Sequence, residues 1–359
     1  MHRHHLDPVN GGSALDVIRR LCGVQAQVPS AAAQAVALRQ QRPEPNATTQ
    51  ALNDRSLIRT WAMRGTLHLL PSDVAPAFLS LLAAARTWEK GSWQRAFLTV
   101  TQLDRLTVAV ETALEPGVPL TREELVERAI DATGDESLGQ HVKSGWGAVL
   151  KPLAWRGLIC HGPSDGNRVS FVRPDRWFPD WTGIPDPEDA ARVVVPAYLA
   201  AYGPATPTAL DQWLLRGATP KATLRRWFAD LGDAVTPVDV EGTEAFVRSE
   251  DLAKLASIRP TGAVRLLPAF DQYVLGPGTG DPHLVPQAHR SSVSRAGGWI
   301  APVVISRGRV VGTWATNDDR LRVDLMPGEE PPARAALDAE AARLRAVLDT
   351  DVTLDVISS

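Results

Sequence analysis

The sequence predicts an α+β protein: three tandem winged-helix motifs followed by a β-rich α/β subdomain. Three observations predict it. An order of helices followed by a two-stranded hairpin occurs three times with little identity between copies. Each copy ends on residues with turn chemistry. After Leu255 the pattern changes to short strands around one long helix. Helices followed by a two-stranded wing make the winged helix-turn-helix, whose last helix enters the major groove while the wing touches backbone or minor groove. The copies set boundaries at 1–115, 116–183 and 184–258, with 259–359 as the closing subdomain.

The first copy opens on a helix over 14–23, apolar at Leu15, Ile18, Leu21 and Cys22. Helices over 30–41 and 48–55 follow, separated by Arg42-Pro43-Glu44-Pro45-Asn46. Strands over 57–61 and 66–70 flank a turn at Met63-Arg64-Gly65, where Gly65 supplies a positive φ. The second copy begins at Thr121, an N-cap with Glu124 three residues on, the signature of a capping box. A long helix over 139–155 and strands over 158–161 and 168–172 complete it, with a turn at Ser164-Asp165-Gly166-Asn167. The third copy reads as helices over 187–202, 208–215 and 220–231, then strands over 235–240 and 244–248 about Glu241-Gly242-Thr243.

In the closing subdomain strands are expected over 264–267 and 273–275, then a loop over 276–281. That loop's glycine spacing is only superficially a nucleotide fingerprint, because Pro277 intervenes and no helix follows. A β-meander over 300–306, 310–315 and 321–325 turns at Arg307-Gly308 and at Asn317-Asp318-Asp319. A helix over 332–348 and a strand over 352–357 end the chain.

Composition restricts the function. With 359 residues, 44% hydrophobic and 22% charged, the chain suits two or three globular domains. No apolar run is long enough to span a bilayer, and Met1-His2-Arg3-His4-His5 lacks the apolar core of a secretory signal. Two cysteines in unrelated contexts, Cys22 and Cys160, argue against a disulfide framework or zinc site and fit a reducing cytoplasm. The net charge of −3 hides an asymmetry: residues 1–110 carry 12 Lys+Arg against 7 acids, and the remainder is acidic. Local potential, not the total, attracts phosphate. Only five of the 38 basic residues are Lys, which suits bidentate phosphate contacts but is also what a GC-rich coding bias produces.

Phosphate loops, zinc spacings and nucleophile elbows are missing. His2, His4 and His5 suggest metal on paper, but at a frayed terminus they read as innocent. Glu123-Glu124 is explained by capping, and Trp61, Trp146, Trp155 and Trp227 by core positions. One segment stands apart, Val24-Gln25-Ala26-Gln27-Val28-Pro29. In an extended connection the amides of Gln25 and Gln27 point the same way, and Pro29 biases its predecessor away from helix. Each amide offers an acceptor and two donors without charge, although paired glutamines are commonly solvated or capping groups.

Four segments in order resemble the AlkZ family of bacterial winged-helix DNA glycosylases, related to YcaQ-like proteins. They are Leu21-Cys22-Gly23-Val24-Gln25-Ala26-Gln27, the stretch Arg59-Thr60-Trp61-Ala62-Met63-Arg64-Gly65-Thr66-Leu67-His68, then Arg265-Leu266-Leu267-Pro268-Ala269-Phe270-Asp271, and Arg307-Gly308-Arg309-Val310-Val311-Gly312-Thr313-Trp314. The resemblance implies that Gln25 and Gln27 are catalytic, as the Gln-x-Gln form of the family motif. It implies DNA contacts at Arg59, Trp61, Arg64 and His68, and a hairpin bearing Arg307 and Arg309 that probes the minor groove. It further implies a C-shaped groove and double-stranded DNA with alkylated guanine or cross-links as partner. No cofactor or metal is expected, and an internally repeated DNA-binding chain has little need to dimerise, which favours a monomer. Members of this branch are associated with self-protection in producers of DNA-alkylating antibiotics, of the azinomycin kind. The amino end is short for the family, which implies an incomplete first helix.

The chemistry is coherent. Guanine alkylated at N7 is cationic and leaves its sugar readily, so no acid is needed. Neutral amides suffice to hold a water and face an oxocarbenium-like sugar. Two rival readings use the same modules: a non-enzymatic transcription regulator and a protein–protein scaffold.

Overall fold

The computed structural model describes residues 1–144, 147–164, 166, 168–317 and 319–358. Trp146, the hairpin turn at Asp165 and Asn167, and the meander turn at Asp318 fall outside the described residues. The chain is mixed α+β and forms two compact units, each discontinuous in sequence. The first unit comprises 1–50, 197–209 and 233–359, the second 51–196 and 210–232. The four consecutive segments expected from the repeats therefore do not coincide with the compact units.

In the first unit, a five-stranded sheet runs in the order Thr353–Ser358, Arg320–Leu325, Arg309–Asn317, Val303–Ser306, Val264–Leu267. Only the 320–325 and 353–358 strands are parallel, and the helix Arg334–Leu348 lies between them in sequence, as a parallel crossover requires. Side chains alternate between faces. Leu266, Val304, Val311 and Val323 pack with Leu337, Ala341 and Leu344 of that helix. Leu267, Val303, Ile305 and Val310 pack with Ala31, Phe270, Val274 and Val285. The helix Pro29–Ala37 reaches both clusters, through Ala31 in its first turn and through Ala37 and Leu38 at its end.

The meander, the long helix and the last strand follow the expectation closely. The expected strand at Tyr273-Val274-Leu275 is instead a short helix, Gln272–Leu275. Asp271 caps it, accepting a hydrogen bond from Tyr273 N at 2.8 Å, and is itself held by Arg39 from far away in the sequence. The first helix, Ala14–Arg20, is not truncated, since Ser13 and Asp16 form a full capping box at its start. The amino terminus is not frayed either. His2–His4 is a 3₁₀ turn, and His4 is buried with its Nε2 3.1 Å from the Ala201 carbonyl, edge-on to Tyr202 and Tyr273.

In the second unit the strands run Leu67–Pro71, Leu57–Trp61, Cys160–His161, Ser170–Val172, Leu120–Thr121, all antiparallel. Helices including Ala75–Ala84 and the fifteen-residue Val100–Leu114 fill 75–114, a stretch to which sequence reading assigned no element. The Thr121–Glu124 capping box is present on Arg122–Thr133. The single helix expected over 139–155 is two, Glu136–Lys143 and Lys151–Trp155; Pro152, lacking an N–H, sits in the first turn of the second, where none is needed. The third copy's elements appear in the expected order, Pro187–Tyr202, Pro207–Leu215, Lys221–Ala229, Val235–Val240 and Thr243–Arg248. No described helix is long and apolar enough to cross a membrane.

Candidate active site and the arginine hairpins

The glutamine segment is shaped by its two ends. Helix Ala14–Arg20 stops at Cys22 and Gly23, both at positive φ (60° and 96°), with Gly23 N donating to Ile18 O at 2.9 Å. A non-glycine residue in this region carries strain of order 1 kcal/mol or more, a feature concentrated at functional sites. At the other end Pro29 opens the next helix at its first turn and keeps Val28 extended (φ −114°, ψ 102°).

Between these ends the strand covers only Val24–Gln25, and the chain bends at Gln27. The two glutamines consequently differ. Gln25 is 6% exposed, and Gln27 is exposed. Among the described residues no protein group hydrogen-bonds the Gln25 amide, yet it is not a sealed, orphaned group. It keeps both its acceptor and its donors for something else.

In the second unit, Arg59, Trp61, Arg64 and His68 lie on one hairpin, Leu57–Trp61 and Leu67–Pro71, as the sequence places them. Its turn contains Arg64 at φ 58° and Gly65 at φ 72°. Arg64 Nη1 donates to the Trp213 carbonyl at 3.1 Å. Trp61 is 3% exposed, stacked on Phe171 and tilted against His161 at 4.8 Å. His68 is fully buried, its Nδ1 3.0 Å from the Thr66 carbonyl. Neither Trp61 nor His68 presents a surface to a duplex; both pack the interior behind the arginines.

Sequence reading missed His161, which lies across from Arg59 in the neighbouring strand. Burial holds both histidines neutral: the pKa of His68 is pushed down to about 3 by desolvation and Arg64, and that of His161 to about 3 by desolvation, Arg59 and Arg122. Desolvation also lowers that of Arg59. Thr60 Oγ1, Arg59 Nε, His68 Nε2 and both ring nitrogens of His161 are buried without partners among the described residues.

The hairpin of the first unit turns at Arg307 (φ 52°) and Gly308 (φ 85°), the two positive values of a type I′ turn. Tyr273 Oη donates to Gly308 O at 2.9 Å. The arginines are not free. Arg307 pairs with Glu330 at 2.5 Å, while Arg309 pairs with Glu329 at 3.1 Å and donates to the Pro282 carbonyl at 2.7 Å. Ile305 and Val310 at the hairpin's root share a core with Val28 and Ala31, so the hairpin and the glutamine segment rest on one cluster.

His4 is also held neutral, its pKa driven well below the usual value by burial and by Arg39. Among the described residues no cluster of three or more His, Cys, Asp or Glu has metal-binding geometry. Both cysteines are buried and free, and desolvation raises their pKa values.

A family model described as DNA glycosylase AlkZ-like matches residues 18–347. A curated relative from Streptomyces sahachiroi, an interstrand DNA cross-link repair glycosylase, is 50% identical over 347 residues, covering 96% of this chain and 93% of that protein. The solved structure of the Streptomyces sahachiroi DNA glycosylase AlkZ superposes with a TM-score of 0.94 at 47% identity, over 99% of this chain and 97% of that one. With these likenesses covering both units and the glutamine segment, the chain belongs to the AlkZ-like family of DNA glycosylases.

Proposed function

We propose that this glycosylase hydrolyses the N-glycosidic bond of cationic N7-alkylguanine in duplex DNA, with Gln25 and Gln27 as its catalytic residues. Guanines tied into interstrand cross-links, such as those made by an azinomycin-like antibiotic, are included. The observation that carries the reading is Gln25, a buried amide that no group among the described residues hydrogen-bonds, two residues from the exposed Gln27. The relative's description as a cross-link repair glycosylase supports the lesion class.

An N7-alkylguanine departs as a neutral base, so the bond breaks without an acid and leaves positive charge on the sugar. The amide oxygens of Gln25 and Gln27 face that charge and accept from the incoming water, which attacks the anomeric carbon and then releases its proton to solvent. Preorganised dipoles of this kind contribute about 3–4 kcal/mol each, roughly 10²–10³ in rate. A neutral amide is a poor base. Neutral bases such as uracil leave as anions unless a group stabilises or protonates them, help that neither amide gives in this mechanism, and are therefore not expected as substrates.

Arg59, Arg64, Arg307 and Arg309 hold the duplex as a monomer's phosphate and groove contacts. Trp61 and His68 serve that grip by packing the hairpin that carries Arg59 and Arg64. The test is a duplex with a single N7-alkylguanine: wild type yields an alkali-labile abasic product, and Gln25→Ala and Gln27→Ala lose it by about 10²–10³. Wild type without product refutes the substrate, and two fully active variants refute the site.

A further inference from the structure

We infer that the short helix Gln272–Leu275, with Asp271 and Gly276 at its ends, is a clamp that sets the glutamine segment from both sides. Its far side is held through Arg39 and its near side through Tyr202. Asp271, Gln272 and Tyr202 are thus positioning residues for Gln25 and Gln27, and the inference rests on the role proposed above for those two.

The far side is a buried, two-point ion pair. Arg39 Nη1 meets Asp271 Oδ2 at 2.8 Å and Nη2 meets Oδ1 at 2.7 Å, both side chains with no exposure. Nη1 also donates to Ala35 O at 2.8 Å, in the last turn of the helix that begins at Pro29. Asp271 accepts in addition from Tyr273 N. One guanidinium therefore ties the carboxyl end of the motif helix to one carboxylate. A buried ion pair is no more stabilising than well-packed apolar residues of the same size. What a bidentate fork adds is a fixed distance and a fixed angle.

The near side uses the next residue of the same helix. Tyr202 Oη donates to Leu21 O at 2.8 Å, four residues before Gln25, and lies 3.4 Å from Gln272 Oε1. Gln272 is 1% exposed. The tyrosine ring lies so close over Gly276 that any Cβ there would collide with it. His4 packs edge-on against the same ring, with centroids 5.3 Å apart. Leu21 and Arg39 bracket the glutamines: Arg39 is bonded directly by Asp271, and Leu21 by Tyr202, which rests against Gln272 and Gly276. Displacing a catalytic group by about 1 Å costs up to roughly 10²-fold in rate, so fixing both flanks has a direct kinetic consequence.

The experiment measures single-turnover base release at saturating enzyme on an N7-alkylguanine duplex, with duplex affinity and melting temperature in parallel. Tyr202→Phe removes one hydroxyl and keeps the ring. It is expected to slow release by about 10- to 100-fold with duplex affinity within about twofold of wild type. The paired Arg39→Met with Asp271→Leu replaces the buried charges by apolar groups that can still pack, and is expected to be folded and similarly slow. A purely structural role is separated by a double-mutant cycle: Tyr202→Phe on a Gln25→Ala background causes no further loss if it acts through Gln25. Should Tyr202→Phe react at the wild-type rate while Gln25→Ala is inactive, or should the two losses multiply, the clamp is refuted and the glutamine site stands. If both single glutamine variants match wild type, the site fails and the clamp falls with it. Should the paired variant not fold, Tyr202→Phe and its cycle decide alone.

Discussion

Gln25 and Gln27 were legible as a pair, and their difference was not. Period-two reasoning assumes the strand continues through both residues. Here it ends at Gln25 because the chain must bend before Pro29 can open a helix, so one amide is buried and the other exposed. Trp61 shows two sequence signals in conflict. Its apolar position favoured the core and its motif favoured DNA, and burial at 3% exposure gives it to the core. The buried histidines lead to a stability prediction. His68 and His161 have pKa values near 3 when folded, against about 6.5 when unfolded. Between those values only the unfolded chain holds the protons, so stability rises with pH across the window and is lost as pH falls below about 6.5. Going from pH 7 to pH 5 should cost up to about 2 kcal/mol per histidine. His68→Gln, which does not titrate, should flatten that dependence in urea melts; an unchanged slope counts against burial as its cause.

Elements announced by their own local chemistry were legible. The Thr121 capping box, the Arg307-Gly308 turn and the meander follow from residues within a few positions of each other. Thr121→Ala should cost about 1 kcal/mol in denaturant unfolding, with little change in base release. Elements fixed by distant partners were not legible. Tyr273-Val274-Leu275 has a strand-like composition, but its helix is set by Asp271, whose carboxylate is held by a guanidinium 232 residues away. The same limit applies to the charges of the Arg307–Arg309 turn, since nothing nearby in sequence announces Glu329 and Glu330 as their partners. Those pairs are exposed or half-exposed and contribute little to stability. On DNA they would exchange carboxylate for phosphate. Glu329→Gln with Glu330→Gln should therefore tighten duplex binding at low salt and steepen its salt dependence by about 1–2 in log–log slope. Unchanged binding in that variant would remove this hairpin from the DNA interface.

For the whole molecule, the order of elements was readable, but which segments would form a compact body was not. The repeats suggested modules strung along the chain, whereas the compact units draw on separated stretches, with 197–209 and 233–359 joining 1–50. The net charge of −3 likewise says little about the first 110 residues, where cations prevail. Duplex affinity should accordingly fall steeply between about 50 and 200 mM salt, and binding with no such dependence would favour the scaffold reading. Substrate range tests the chemistry at the same scale. Efficient uracil excision would show that some group assists an anionic leaving base, and would end the account in which the cationic lesion leaves unaided.

The long reach of the Arg39–Asp271 pair also bears on how the enzyme is made. Ribosomes add about 5–20 residues per second. The glutamine segment is thus synthesised roughly 12–50 seconds before Asp271, which lies 232 residues behind Arg39. Throughout that interval the chain already carries the Gln25 and Gln27 amides but lacks Asp271, the partner of Arg39. On the clamp inferred above, aborted translation or clipping before residue 271 leaves a fragment without the Arg39–Asp271 pair, and base release is expected only from a chain that is nearly whole.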